Sequence, residues 1–270
     1  MSPIPQLNEL IPLIKNIVDT ELLPRFTHVD STTKSDGSVV TEADLITQQC
    51  LTDALHQAWP DIPLLGEEMD AHQQQSLLSQ ADYLWCLDPL DGTTNFAGGV
   101  PVFCTSLALL HKGQAILGII YDPIRKECFA AEYNQGATLN GRLLQLAYTG
   151  TDLSACIAGV DLKRLDSRLA ARVAMEQPFR SQRNFGSGAL DWAWLACGRM
   201  QLYLHGGQKL WDYMAGRLIF SEAGGVCSDI AGAEISCNEL VPRSVVAAVN
   251  QPLFEQWLGW VQEANGDNEK

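Results

Sequence analysis

Residues 86–96 read Cys-Leu-Asp-Pro-Leu-Asp-Gly-Thr-Thr-Asn-Phe, and an apolar run at 83–87 delivers two carboxylates, Asp88 and Asp91, to one point. Pro89 fixes its own φ and pushes Asp88 away from helix, so the chain is expected to turn there. Gly92-Thr93-Thr94 follows, a small-residue run that can open a helix or tight turn with its N–H groups unpaired. Paired carboxylates hold hard divalent cations, and free amides and hydroxyls beside them hold an anion. Together they describe a metal-assisted phosphate site. A plain surface turn would use the same residue types, so the rest of the chain has to decide.

Other acids stand where elements should begin or end: Asp44 after a polar loop at 34–38, Glu67 and Glu68 after Gly66, and Asp212 in Trp211-Asp212-Tyr213-Met214-Ala215-Gly216. Singly, each has an ordinary use. Asp44 and Asp212 suit a helix first turn, and Glu67-Glu68 suits a solvated patch. Collectively they form an oxygen donor set of the kind Mg²⁺ prefers. A bound cation acidifies its water and offers a nucleophile without a histidine base. Phosphoryl transfer needs charge neutralisation more than covalent help. The five histidines are scattered, and no G-x-S-x-G elbow suggests a Ser-His-Asp triad.

The elements that must position these groups follow from periodicity. Residues 7–23 carry apolar positions at 7, 10, 11, 14, 17 and 18, a helical period, and Thr41 reads as the N-cap of a second helix over 43–59. Residues 63–68 and 83–87 read as strands, and 104–111, 115–121, 127–132 and 137–139 as successive antiparallel strands. Beyond about residue 150 the pattern alternates. Strands are predicted at 155–160, 179–184, 226–230 and 245–249, and helices at 164–175, 187–197, 211–223 and 252–264. The fold class is α+β in the first half, 1–150, which carries most of the acids, and α/β in the second, 151–270, which carries Asp212.

With 270 residues and 46% hydrophobic content the chain can bury a large core, and its mean hydropathy is −0.03. No apolar run approaches the roughly 18 residues of a membrane span. Residues 1–5 lack the basic start and apolar stretch of a signal peptide, so a cytoplasmic location is expected. Eight cysteines stand singly without a C-x-x-C pair, which argues for reduced, mostly buried thiols. A net charge of −14 repels nucleic acid and anionic membranes, and a phosphorylated substrate too unless cations reverse the field locally.

Four segments in order, Lys34-x-Asp36-x-Ser38-x-Val40-Thr41-x-x-Asp44, Gly66-Glu67-Glu68, Asp88-Pro89-Leu90-Asp91-Gly92-Thr93-Thr94-Asn95-Phe96 and Trp211-Asp212-x-x-Ala215-Gly216, resemble the inositol monophosphatase family. These are lithium-sensitive, magnesium-dependent sugar phosphatases. The resemblance runs from about residue 7 to residue 262. It implies a layered αβαβα fold of two intimate halves with the site between them, and a homodimer. It also implies roles. Glu67, Asp88 and the Leu90 carbonyl would hold one Mg²⁺; Asp88, Asp91 and Asp212 would hold a second. Asp36 would help with a third, weaker one. Glu67 and Thr93 would position the attacking water, Asp44 would orient Thr93, and Glu68 would stand behind the ligands. The amides of Gly92 and Thr93 would hold the phosphate.

Gly186-Ser187-Gly188-Ala189 matches the family turn that lines the sugar pocket, beside Asp91 and Asp212. His205 stands where inositol-handling members carry a glutamate, which weakens the case for inositol phosphate itself. Lys163, Arg164 and Lys209 are expected near the pocket, where they would either meet a second anionic group or serve as solvated surface. The reading is a Mg²⁺-dependent phosphatase acting on a small polyol or sugar phosphate. Fructose-1,6-bisphosphatase, 3′-phosphoadenosine 5′-phosphate phosphatase and histidinol-phosphate phosphatase are the alternatives within the class. A non-catalytic regulator binding a phosphorylated ligand is the alternative outside it.

Overall fold

The computed structural model describes residues 4–26, 31–33, 39–235, 237 and 239–266. Helix α1 (Leu7–Ile17) buries Leu10 and Ile14, then loosens into a π-helical turn over Val18–Leu22 and a 3-10 turn over Leu23–Arg25. The even helix expected through residue 23 gives way where Thr20 Oγ1 donates back to Asn16 O at 2.8 Å and Pro24 has no N–H to offer. Strand β1 (Ser31–Thr33) pairs antiparallel with β2 (Val39–Thr41), which leads into α2 (Glu42–Ala58). Asp36, in the predicted polar loop, lies outside the described residues.

The next nine elements are β3 (Leu64–Gly66), α3 (Ala71–Gln80), β4 (Tyr83–Asp91), α4 (Thr93–Ala97), β5 (Cys104–His111), β6 (Gln114–Asp122), β7 (Glu127–Glu132), β8 (Gly136–Leu139) and β9 (Arg142–Leu144). Their strands form a seven-stranded sheet in chain order, with β3 and β4 parallel and the rest antiparallel. Helix α3 was not predicted, because its His-Gln-Gln-Gln start has no apolar period. It is started by Asp70, whose carboxylate accepts the N–H groups of His72 and Gln73.

The turn expected at Pro89 is absent. β4 runs on through Asp91, and a bulge sets Asp88 opposite Ser106 but Asp91 opposite Cys104. Pro89 offers no N–H to the ladder, and its carbonyl accepts Thr105 Oγ1 at 2.8 Å. The bulge has a chemical consequence. In a regular strand residues three apart point to opposite faces; the extra residue brings both carboxylates to one side.

The second half contains β10 (Ile157–Asp161), α5 (Ser167–Glu176), β11 (Ser181–Arg183), α6 (Gly188–Ala196), β12 (Leu202–Gln208), α7 (Leu210–Glu222), β13 (Val226–Ser228), β14 (Arg243–Ala248) and α8 (Gln251–Gly266). The strands form a five-stranded mixed sheet in the order β11-β10-β12-β14-β13. The helix predicted from residue 164 begins later. Leu162–Arg164 is a separate 3-10 turn, and Asp166 caps α5 by accepting from Arg168 and Leu169. Strand β12 is absent from the sequence-based expectations. A Cβ on Gly206 would lie 1.8 Å from the Arg164 carbonyl oxygen, so the strand passes the turn in backbone contact.

The layers are α, β, α, β, α. One face of the seven-stranded sheet, with Trp85, Leu87, Leu107, Leu109 and Ile119, packs against α1 and α2 through Leu10, Ile14, Leu51 and Leu55. The other face, with Leu84, Cys86, Ala108 and Ile120, joins a second core with α6, α7 and the five-stranded sheet, which α5 and α8 cover. Both faces of β4 are therefore buried, which is why its sequence is apolar without alternation. Gly216 on α7 permits the central packing: a Cβ there would lie 2.4 Å from Trp192 Cβ on α6. All eight cysteines are free. Among the described residues no helix is long and apolar enough to cross a membrane.

Candidate metal and phosphate site

A cleft of about 420 Å³ is lined from both halves of the chain: Glu67, Asp88, Leu90, Asp91, Gly92 and Thr93 from the first, and Asp161, Gly186, Ser187, Gly188, Asp191, His205 and Asp212 from the second. Another hollow of about 380 Å³, lined by Arg125, Ile157, Arg183, Phe185, Trp194, Arg199 and Met200, contains none of the sequence-predicted residues. The chemistry lies in the first.

Asp88, Asp91 and Asp212 each offer a carboxylate oxygen, and these oxygens lie within 4.8 Å of one another. Burial pushes the Asp88 carboxyl well above the usual range, and Glu67, Asp91, Asp212 and Asp44 raise it further. Burial, then Asp91 and Glu67, push Asp212 up to about 8. Acids held this close repel one another unless a cation joins them. An all-oxygen donor set with the Leu90 carbonyl alongside suits a hard divalent ion such as Mg²⁺.

Asp91 has a second use that the sequence does not reveal. Its Oδ2 accepts Ser187 Oγ at 2.5 Å and the Ala189 N–H at 2.7 Å, and its Oδ1 accepts the Gly188 N–H at 3.2 Å. A carboxylate from β4 thus sits on the first turn of α6, where helix amides favour negative charge. Burial raises its pKa, and these donors pull it back. Gly186, Ser187 and Gly188, expected to line the sugar pocket through backbone groups, do line the cleft, but the Ser187 hydroxyl and the Gly188 amide are bonded to Asp91. Asn95 makes a parallel tie between the halves: its Nδ2 donates to Val102 O at 2.8 Å and Phe185 O at 2.7 Å.

Gly92 enters α4 with φ +93°, and a Cβ there would lie 2.9 Å from the Val102 carbonyl oxygen, so glycine suits the turn that swings Thr93 into place. Thr93 Oγ1 lies 3.0 Å from Asp44 Oδ1 and 2.9 Å from Leu90 O. Asp44 is fully buried, and its Oδ2 accepts the Thr41 N–H at 2.7 Å and Thr41 Oγ1 at 2.6 Å. Burial raises the Asp44 carboxyl against the pull of these hydrogen bonds. Glu68 is not in the cleft lining. Its N–H donates to Gln48 Oε1 at 3.1 Å, and its charge adds to the upward push on Asp44.

The opposite wall is mixed in charge. His205 Nδ1 accepts the Gly207 N–H at 3.1 Å, so the neutral ring carries its proton on Nε2, 3.7 Å from Asp161 Oδ2. Burial holds His205 down to about 4, partly opposed by Asp161 and reinforced by Arg164. Lys163, Arg164 and Lys209 all line the cleft.

Sequence reasoning missed several lining residues, among them the polar Asp161, Asn184 and Asp191. Asp161 and Asp191 carried a usable signal, an acid at the end of an apolar run and an acid just after a glycine-rich turn. Asp191 is 6% exposed, and its Oδ1 has no hydrogen-bond partner among the described residues. Burial, then Asp91 and Asp161, push its carboxyl well above the usual range.

Known proteins resemble this chain over most of its length. The model of the inositol monophosphatase family matches residues 7–264. The Nus factor SuhB of Pseudomonas aeruginosa is 34% identical over 236 residues, 85% of this chain and 84% of that one. The inositol-1-monophosphatase of Mesorhizobium japonicum is 33% identical over 233 residues, 82% of this chain and 86% of that one. Among solved structures, the Thermotoga maritima IMPase matches with a TM-score of 0.83 at 28% identity, covering 97% of this chain and 98% of that one.

Proposed function

The chain belongs to the inositol monophosphatase family, and from that premise we propose that it is a Mg²⁺-dependent phosphatase that hydrolyses a phosphate monoester of a small polyol or sugar. The observation that supports this best is the convergence of Asp88, Asp91 and Asp212 within 4.8 Å, in a cleft that also contains Glu67 and Thr93. Glu67, Asp88 and the Leu90 carbonyl would hold one ion, and Asp88, Asp91 and Asp212 a second, with Asp36 a candidate for a third. Bound Mg²⁺ supplies charge neutralisation at the phosphoryl oxygens and acidifies a water.

The protein groups then have distinct tasks. With its proton directed at Asp44, Thr93 Oγ1 presents lone pairs to a water, and the Glu67 carboxylate accepts a second hydrogen bond from it. Asp44 keeps Thr93 in that orientation. The Gly92 and Thr93 amides would take the phosphate at the start of α4. Gly186, Ser187, Gly188 and His205 would border the alcohol end. The proposed assembly is a homodimer and the proposed location cytoplasmic.

A panel of esters assayed with Mg²⁺ and with EDTA tests the reading. Inositol 1-phosphate, fructose 1,6-bisphosphate, 3′-phosphoadenosine 5′-phosphate and histidinol phosphate cover the alternatives. Metal-dependent phosphate release from at least one supports it, and none from any rejects it. Relatives named Nus factor SuhB favour a second reading, a role separate from hydrolysis. An Asp88→Asn chain that keeps its role in cells while losing turnover would favour that reading.

A further inference from the structure

The rim of the cleft around residues 161–164 is built to present cations. The Asp161 carboxylate accepts the Lys163 N–H at 3.0 Å and Asn184 Nδ2 at 3.3 Å, which fixes the 3-10 turn Leu162–Arg164. On the other side the turn rests on β12, where Gly206 permits backbone contact with Arg164. The backbone is thus held from both sides. The side chains of Lys163 and Arg164 are exposed, line the cleft, and make no hydrogen bond or ion pair among the described residues. Both ends of the turn are therefore ordered while its two charges are left without a protein partner.

These charges do not balance the metal carboxylates. Neither Lys163 nor Arg164 figures among the leading influences on Asp88, Asp91 or Asp212, whereas Arg164 is felt at His205. His205 presents Nε2–H on the same wall. The charged groups facing this wall are Asp161, whose Oδ1 takes both donors and whose Oδ2 lies 3.7 Å from His205 Nε2, the buried Asp191, and Lys209 at the entry to α7. In a chain of net charge −14, two unpaired cations beside a ring N–H form a local anion field.

We propose that Lys163, Arg164 and the Nε2–H of His205 form a second anion subsite, so that the preferred substrate carries a further phosphate on the alcohol it releases. This rests on the phosphatase reading above and narrows its substrate class to bisphosphates, such as a sugar bisphosphate or a phosphonucleotide. The guanidinium fork and the ammonium both suit phosphate oxygens.

The test compares fructose 1,6-bisphosphate with fructose 1-phosphate, which lacks only the second phosphate. The wild-type protein should favour the bisphosphate roughly tenfold to hundredfold in kcat/KM, mainly through KM. Lys163→Ala combined with Arg164→Ala should abolish most of that preference, with an unchanged melting curve. Equal kcat/KM on both compounds in the wild type, or equal losses in the double variant, would overturn the subsite. If neither compound nor any ester of the panel is hydrolysed, the phosphatase reading fails separately. Calorimetric titration of the Mg²⁺-loaded wild-type protein then decides: tighter binding of the bisphosphate, lost in the double variant, upholds the subsite, and equal binding overturns it.

Discussion

Thr93 and Asp44 lie 49 positions apart, yet the Thr93 hydroxyl is 3.0 Å from Asp44 Oδ1 and points its lone pairs elsewhere when it donates there. The Leu90 carbonyl at 2.9 Å competes for the same single proton, so either way Thr93 is left as an acceptor toward the cleft. Asp44 cannot swing away, because Thr41 holds its other oxygen twice.

Thr93→Val keeps the shape and removes the hydroxyl. The expected result is a fall in kcat of about 100-fold with little change in KM, as for a misplaced attacking group. Thr93→Ser should restore most of the rate. Steady-state kinetics on the best substrate of the panel checks both, and an unimpaired Thr93→Val protein would remove Thr93 from the chemistry.

Asp88→Asn removes one charge from the centre of the acidic cluster while keeping volume. Activity should fall by orders of magnitude. The metal-free protein should melt higher than the wild type at neutral pH. The sign follows from the raised carboxyl: the folded state resists ionising Asp88 more than the unfolded state does, so at neutral pH its charge opposes folding. Turnover like the wild type at low Mg²⁺ would overturn the assignment of Asp88 as a shared ligand.

Mg²⁺ should raise the melting temperature with its concentration, because it binds only where the carboxylates converge. At about 100 times Kd the gain is roughly 2.7 kcal/mol, and each kcal/mol is worth about 2–4 °C in a chain of this size. Protons compete for the same oxygens. Asp212 sits at about 8 without metal, so the Mg²⁺ effect should shrink as pH falls below that value. Differential scanning fluorimetry on EDTA-stripped protein measures this, and a curve indifferent to Mg²⁺ would argue against a protein-held site.

His205 makes a pH-dependent contribution of definite sign. Its folded pKa is held down to about 4, below the usual 6.5, by burial first. Between those values the unfolded chain takes a proton that the folded chain refuses. Stability therefore falls as pH drops from 6.5 and levels off below 4, by at most on the order of 3 kcal/mol. Urea melts of wild type and His205→Gln across pH 4–7 should converge in slope only above 6.5. Parallel profiles throughout would mean that the imidazole titrates as freely as in solvent.

Local chemistry is legible in this chain. Asp88, Asp91, Glu67 and Asp212 announce themselves because carboxylates at element ends, beside Gly92 and the small residues after it, are short-range patterns. The capping role of Thr41 and Asp44 is equally local, three residues apart on one helix turn. Strands β3 to β8 are located for the same reason, though β4 outruns its expected end; β1, β2 and β9, three residues each, are too short to show a period, and α3 escaped because helix periodicity needs apolar residues that Ala71–Gln80 lacks.

By itself, then, the sequence determines which side chains are available for metal and phosphate chemistry, and roughly where the strands and helices that bear them lie. Only the tertiary structure decides their alignment. The bulge that turns Asp88 and Asp91 to one side depends on register with β5. The bonds that fasten Asp91 to α6 join residues 96 to 98 positions apart, and those that bring Asn95 to Phe185 span 90. Whether Lys163 and Arg164 face the cleft is set by the packing of their turn on β12. Contacts of this kind depend on how two distant segments meet in space, and no local period in either segment encodes that meeting.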